Sequence, residues 1–186
     1  MKLRLFVALL ALVVAPVASW AAEEENPYKK VKVGDYATYK ATLEILGMSL
    51  EGTITQTVSE KTDKVAKLKV VTDFAGMKQE QVQEIDLTKP YDPTKAGNLP
   101  AGSEVKTEKL KDGTEKLKAG GKEYDCKWET FKVKAKTAGM EIDSEMKTWT
   151  AKDFLMQIVK MEMTAEIAGN KMKMLMELKE SGRKSD

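Results

Sequence analysis

Methionine thioethers are the side chains whose spacing most clearly suggests chemistry in this sequence. Five of them occupy alternate positions along two neighbouring segments, with polar residues between them apart from Leu175: Met161, Met163, Met172, Met174 and Met176. Thioether sulfur is a soft ligand that suits Cu(I), and the same flexible side chains can line an apolar site that adapts to varied guests. The pattern leaves three alternatives open: a packed core, a cavity for an apolar molecule, or a Cu(I) site.

The composition argues against most classes of enzyme. The chain has no histidine, the commonest general base and metal ligand. Its single cysteine, Cys126, excludes an intramolecular disulfide and a cysteine-based zinc site, and we expect a buried structural thiol. Four carboxylates are expected on solvated strand faces: Glu129, Glu141, Asp143 and Glu145. The sequence therefore predicts a protein that is not an enzyme and has no catalytic residue, cofactor or metal ligand.

The charge balance narrows the choice of partners. Lysine and arginine number 31 and acidic residues 29, a net charge of +2. Two of the basic residues, Lys2 and Arg4, belong to a predicted leader, and without them 29 basic residues face 29 acidic ones. This balance argues against binding to nucleic acid and against a polybasic membrane-surface protein.

The first 22 residues predict a secretory signal peptide, Met1–Ala22. Lys2 and Arg4 precede an apolar run of 14 residues, Leu5–Ala18, and the small residues Ser19, Ala21 and Ala22 follow it together with Trp20. The run is shorter than the roughly 20 residues that a membrane-spanning helix needs. We therefore expect a secreted or periplasmic protein without a transmembrane segment in the mature chain.

After the leader, the sequence alternates with a period of two, which predicts antiparallel strands with one apolar face. The last hairpin is predicted to turn at Gly169-Asn170, with Met163 opposite Met176 and Ile167 opposite Met172.

The other hairpins follow the same logic. The first is predicted to turn at Gly47-Met48, with Leu43 and Ile54 on its apolar face, and two more are centred on Gly76 and Gly139. In the strand beginning at Tyr124 the apolar phase shifts, which predicts a β-bulge near Glu129-Thr130.

One domain is predicted over residues 23–180. Within it, the segments 35–88 and 122–180 are interpreted as copies of a four-stranded unit, with chance similarity of hairpin lengths as the alternative. They are joined by 89–121, where a lysine-rich hairpin with a turn at Asp112-Gly113 is predicted to form an exposed edge. Residues 181–186 are predicted to be a disordered tail.

These segments predict a mainly β protein. About eight to ten antiparallel strands, built from hairpins, must cover one apolar face with hardly any helix available. We therefore expect a curled antiparallel sheet, either a half-barrel or a barrel.

Three short motifs carry a resemblance to known proteins. Val33–Lys40, Gly121–Trp128 and Lys147–Trp149 resemble segments of uncharacterised secreted β-proteins of bacteria of the planctomycete type. In general architecture these are similar to LolA/LolB-like lipoprotein carriers, which implies a lipid-binding half-barrel. The sequence departs from the carriers in having no pattern for lid helices, and no functional residue is carried over.

The sequence therefore predicts an exported, non-enzymatic binding protein that holds a lipid or another apolar ligand on a methionine-rich concave face. The predicted ligand-binding residues are Leu43, Ile54, Met161, Met163, Met172, Met174 and Met176. Two alternatives are a structural or interaction module of the cell envelope and a methionine-based Cu(I) carrier.

Overall fold

The computed structural model describes residues 26–89, 104–137, 140–152, 157–167 and 169–184. A short 3-10 helix, Pro27–Lys29, precedes nine strands. They are β1 (Asp35–Ile45), β2 (Met48–Lys61), β3 (Val65–Phe74), β4 (Met77–Asp86), β5 (Glu104–Ala119), β6 (Lys122–Thr137), β7 (Met140–Thr150), β8 (Ile158–Ile167) and β9 (Asn170–Arg183).

The nine strands form one antiparallel sheet in the order β4-β3-β2-β1-β9-β8-β7-β6-β5. Sequential strands are neighbours within β1–β4 and within β5–β9, and the pairing of β1 with β9 joins these two halves. The sequential strands β4 and β5 lie at opposite edges of the sheet. Among the described strands, β4 and β5 are the edges, so the sheet is open. It is nevertheless curled, because the end of β5 approaches β9, although three strands separate them in the sheet. Gly120, which follows β5, lies so close to β9 that an added Cβ would be 3.2 Å from the Lys179 carbonyl oxygen. The predicted curled sheet built from hairpins is confirmed.

Alternating side chains give this sheet one apolar face, which we call the inner face. It carries the predicted apolar residues of β1, β2, β8 and β9, as the period-two pattern indicated. The edge position predicted for the lysine-rich segment is also confirmed, because β5 ends the sheet.

The hairpin turns follow backbone geometry that favours tight connections. Leu46 and Gly47 have φ angles of 53° and 76°, and Ala75 and Gly76 have 51° and 81°. Two successive positive φ angles match the right-handed twist of the flanking strands. The predicted turn at Gly47-Met48 is therefore wrong by one residue, because Ile45 pairs with Met48 around Leu46-Gly47.

The register of the last hairpin differs from the prediction by two residues. Ile167 pairs with Asn170, so the loop begins one residue earlier than Gly169-Asn170. Consequently Met163 lies opposite Met174, and Met161 lies opposite Met176. The predicted face is nevertheless correct, because a shift of two residues preserves the alternation.

The lysine-rich segment is one strand rather than a hairpin. β5 runs through the predicted turn at Asp112-Gly113 and pairs with β6 along its length, from Glu104 opposite Lys136 to Ala119 opposite Lys122. A register shift does lie beside the predicted bulge position, but on the partner strand: it falls between Lys109 and Lys111 of β5, which pair with Phe131 and Thr130 of β6. The β6–β7 pairing is continuous past Glu129.

The carboxyl-terminal prediction is wrong in part. Residues 181–183 extend β9, and Arg183 pairs with Asp35 at the start of β1.

Two predicted segments lie outside the described residues: the leader, 1–22, and residues 90–103 of the 89–121 connection. The segments 35–88 and 122–180 each contain four sequential antiparallel strands, and their origin by duplication stays a prediction. Within the described residues, no helix has the length and apolar character needed to cross a membrane.

Candidate functional site

The inner face brings the methionines into two adjacent rows that run across the strands. In one row, Met146, Met163, Met174 and Leu43 are successive cross-strand neighbours on β7, β8, β9 and β1. In the next, Thr148, Met161, Met176 and Ala41 follow the same strands. Since direct cross-strand partners have Cβ atoms about 4.5–5.5 Å apart, the thioethers form one continuous surface.

All seven predicted ligand-binding residues are buried on this face. Met172 is the cross-strand partner of Ala165 on β8 and of Ile45 on β1, which places it one row towards the hairpin tips. Ile54 is the partner of Tyr39, one row beyond Ala41 in the opposite direction. The structure thus brings the five methionines and Leu43 together, and Ile54 borders them. Their role in binding stays a prediction.

One end of the inner face is covered by the amino-terminal segment Asn26–Val31, and we call it the closed end. The Asn26 Nδ2 donates to the carbonyl oxygens of Asp86 and Lys89 at 3.1 and 3.0 Å. The Lys61 Nζ donates to the Lys29 and Val31 carbonyl oxygens at 2.6 and 2.7 Å. These bonds fix the segment across the ends of β2 and β4, where Tyr28 and Val31 are buried.

A buried tyrosine lies behind this closed end. Burial raises the pKa of the Tyr39 phenol well above its ordinary value, and the nearby phenols of Tyr28 and Tyr124 raise it further. Tyr28 belongs to the covering segment, Tyr39 to β1 and Tyr124 to β6. Their proximity shows that the curl of the sheet brings β6 towards β1 around a shared interior.

The opposite end of the inner face has exposed apolar side chains, and we call it the open end. Met48 and Met77 are 58% and 53% exposed, although they pair with Ile45 and Phe74 on the inner face. Leu46, at the tip of the β1–β2 turn, is 66% exposed. Leu50, beside Leu43, is partly buried. Apolar surface therefore continues from the buried interior to solvent at the hairpin tips.

Polar residues also lie on the inner face, and the sequence reasoning missed them. Glu129, predicted on a solvated face, has a side chain only 3% exposed, which corrects that prediction. Its Oε1 accepts from the Lys109 Nζ at 2.8 Å and lies 3.3 Å from the Lys127 Nζ. The hydrogen bond to Glu129 raises the pKa of Lys109. Thr148 lies directly opposite Glu129 on β7 and is 1% exposed.

The alternation of residues along the strands indicated that both Glu129 and Thr148 lie on the inner face. Glu129 has the parity of Phe131 and Val133, and Thr148 has that of Met146. Without the partner strand, however, nothing in the local sequence showed that lysines would neutralise a buried carboxylate. The other three carboxylates, Glu141, Asp143 and Glu145, are exposed as predicted.

The chemistry of this face is mainly apolar. Within the described ranges, no group of three or more His, Cys, Asp or Glu side chains could hold a metal ion. The methionine rows could contribute thioether sulfur to Cu(I), and that alternative stays a prediction. Cys126 is 2% exposed, and burial raises the pKa of its thiol, with the charges of Asp125 and Glu115 raising it further. A buried thiol with a raised pKa is a poor nucleophile.

Together, the sheet and its inner face define a class of all-β protein with one curled, open antiparallel sheet. A protein of Parabacteroides distasonis described as a lipoprotein is similar, with a TM-score of 0.50 and 9% identity over 86% of this chain and 100% of that chain. A protein of Bacteroides fragilis described as exported, with a YmcC-like fold, has a TM-score of 0.47 and 10% identity, over 82% and 97% of the two chains. At 9% identity, the likeness to the Parabacteroides protein shows the fold alone.

No protein-family model matches the chain, and no curated protein matches it. The likeness to planctomycete proteins and to LolA/LolB-like carriers therefore stays a prediction from the sequence.

Proposed function

We propose that this chain is an exported, non-enzymatic protein that binds a lipid or another apolar molecule against its methionine-lined inner face. The predicted leader supports export. The solved structures with a similar fold include one described as a lipoprotein and one described as exported, which is in keeping with this location.

The observation that carries the proposal is the change in exposure along a single face of the sheet. At the closed end, Tyr28 and Val31 are buried. Towards the hairpin tips, Leu43 and Phe74 are still buried, whereas their neighbours Met48 and Met77 are more than half exposed. An apolar guest could therefore bind first at the open end, where it would displace water from Met48 and Met77, and reach the buried methionines by moving their flexible side chains.

Hydrophobic burial supplies the free energy for such binding. Each Å² of apolar surface removed from water contributes about 25 cal/mol, and no directional group is needed. Methionine has three rotatable bonds and a polarisable sulfur, so a face built from it can adapt its shape to guests of different size. Met163 and Met174, directly opposite each other, are the centre of this adaptable surface.

Binding of a neutral fluorescent probe, N-phenyl-1-naphthylamine, tests the proposal. We expect saturable binding to the full mature chain. The double variant Met48→Lys/Met77→Lys should bind the probe at least about fivefold more weakly, because two charged groups replace apolar surface at the open end. Val33→Lys is the matched control, since Val33 is 47% exposed but lies outside the open end.

The experiment needs a folding control and can contradict the proposal. Circular dichroism should show all variants folded, because the replaced residues are exposed. Absence of saturable binding by the wild type, or equal binding by the double variant and the control, would overturn the proposal. Native mass spectrometry of protein from its own envelope should also show a bound apolar molecule.

One observation favours the alternative of an interaction module. β4 is an edge of the described sheet, and its ten residues pair with β3 without a register shift. A long regular edge is a template for adding a strand from another protein. β5, the other edge, carries a register shift and several lysines that disfavour such pairing. A stoichiometric protein partner in a pull-down, with no apolar guest, would support this alternative.

A further inference from the structure

The buried hydroxyl of Thr148 is a polar atom within the apolar inner face. Its Oγ1 has no hydrogen-bond partner within the part of the chain that the structure describes. Thr148 is 1% exposed and lies between Glu129 on β6 and Met161 on β8. A buried hydroxyl without a partner destabilises the folded state, and valine has nearly the same shape without that cost. Packing alone therefore does not explain why position 148 is threonine instead of valine.

Its neighbour Glu129 gives the site a second polar group. Two lysines lie within 3.3 Å of the Glu129 Oε1, and Lys109 also lies 3.4 Å from Asp112. The carboxylate is therefore already neutralised by protein groups. An additional charge from a guest would have no dedicated counter-ion here, whereas an uncharged hydrogen-bonding group would face no such penalty.

We infer that the guest is an amphiphile whose hydroxyl group binds between Thr148 and Glu129. This inference rests on the proposed function and specifies the chemical class of its ligand. Direct cross-strand partners are close enough, at about 4.5–5.5 Å between Cβ atoms, for one guest oxygen to contact both side chains. The guest hydroxyl accepts a hydrogen bond from the Thr148 Oγ1 and donates one to the carboxylate of Glu129.

Apolar side chains adjoin this polar pair and would contact the apolar body of the guest. Met161 is the cross-strand neighbour of Thr148, and Met176 is the next residue in the row. Met146 and Met163 lie in the adjacent row, towards the open end. A hydrocarbon chain can therefore lie along the methionines while its hydroxyl stays at Thr148.

Two probes of similar length separate the hydroxyl from the chain. 1-Dodecanol carries the hydroxyl, whereas 1-chlorododecane has no donor and only a weak acceptor. Displacement of N-phenyl-1-naphthylamine measures both affinities. Thr148→Val should weaken the binding of 1-dodecanol by about fivefold to tenfold, the effect of about one lost hydrogen bond. It should leave the affinity for 1-chlorododecane unchanged or higher.

Two control variants guard against a merely structural effect. Thr148→Ser keeps a hydroxyl and should retain most of the affinity for 1-dodecanol. Thr38→Val removes a threonine hydroxyl that lies 3.3 Å from the Thr55 hydroxyl on the outer face, and should change neither affinity. The melting temperature of Thr148→Val should not fall, since the hydroxyl has no partner in the free protein.

The outcomes distinguish this inference from the proposed function. If Thr148→Val changes neither affinity, or weakens both probes equally, the hydroxyl site is wrong while binding to the inner face stands. If neither probe displaces the fluorescent compound from the wild type, the proposed function fails as well.

Discussion

The Nε of Arg183 lies 2.6 Å from the Oδ1 of Asp35, so the end of the last strand is joined to the start of the first. The Asp35 side chain is only 3% exposed, and its Oδ2 accepts from the Lys32 backbone amide at 2.7 Å. A buried carboxylate bonded at both oxygens fixes β1 against β9 at the closed end. This contact explains why strand pairing continues to Arg183.

Asp35→Asn should lower the free energy of unfolding by about 1–2 kcal/mol, because the charged Arg183 then bonds to a neutral amide instead of a carboxylate, and an NH2 group replaces one acceptor oxygen. Urea denaturation measures the change. Asp125→Asn is the control: its carboxylate is 81% exposed and pairs with exposed Lys116, so we expect almost no effect. Equal losses in both variants would contradict the role assigned to Asp35.

Gly113→Ala should destabilise the protein although alanine suits a strand better than glycine. A Cβ at Gly113 would lie 2.7 Å from Cζ2 of Trp128, so the indole ring must move. Overpacking of this kind costs about 1–3 kcal/mol, measurable by urea denaturation followed by tryptophan fluorescence. In a Trp128→Leu background the penalty should largely disappear. Persistence of the full loss there would show that the ring is not its cause.

Gly113 also illustrates which structural features the sequence could not predict. Asp-Gly is a common turn pair, and local reasoning placed a turn there. The structure instead uses the glycine to admit the ring of Trp128 from the neighbouring strand. Glu129 is a similar case, because its burial depends on Lys109 from β5. Both outcomes depend on partners that lie 15 or more positions away in the chain.

The faces of the strands could be predicted because alternation alone shows which residues share a side. Leu43 and the five methionines were therefore assigned correctly to one face without knowledge of strand pairing. Register could not be assigned in the same way. It depends on which two residues adopt positive φ, and at Leu46-Gly47 a leucine takes a conformation that usually favours asparagine or glycine.

Lys147→Gln should lower the free energy of unfolding by about 1–2 kcal/mol through the loss of two cation–π contacts. The Lys147 Nζ lies 4.3 Å from the ring centroids of both Trp128 and Trp149. Trp149 is held in place, because its Nε1 donates to the Glu115 Oε2 at 2.8 Å.

Denaturation and the tryptophan emission spectrum measure this change at Lys147. Lys132→Gln removes a partly exposed lysine whose ammonium lies 3.7 Å from Asp143. That control should have little effect. If Lys147→Gln lowers the free energy of unfolding no more than the control does, the contacts of Lys147 with the two indole rings do not stabilise the protein.

Stability should fall at alkaline pH because of Tyr39. Its pKa is raised in the folded state by burial, with Tyr28 and Tyr124 adding to the shift. The unfolded chain therefore ionises this phenol first, near pH 10, while the folded chain keeps it protonated. The contribution to stability is complete below about pH 10 and is lost progressively as the pH rises towards the folded pKa.

Tyr39→Phe isolates this effect from the titration of the lysines. Urea denaturation of both proteins at about pH 8 and about pH 11 should show a steeper loss for the wild type, because phenylalanine cannot ionise in either state. Tyr36→Phe is the control, since Tyr36 is only partly buried on the outer side of β1. Parallel losses in the wild type and Tyr39→Phe would show that other groups dominate alkaline unfolding. In that case, ionisation of Tyr39 would not destabilise the interior between β1 and β6.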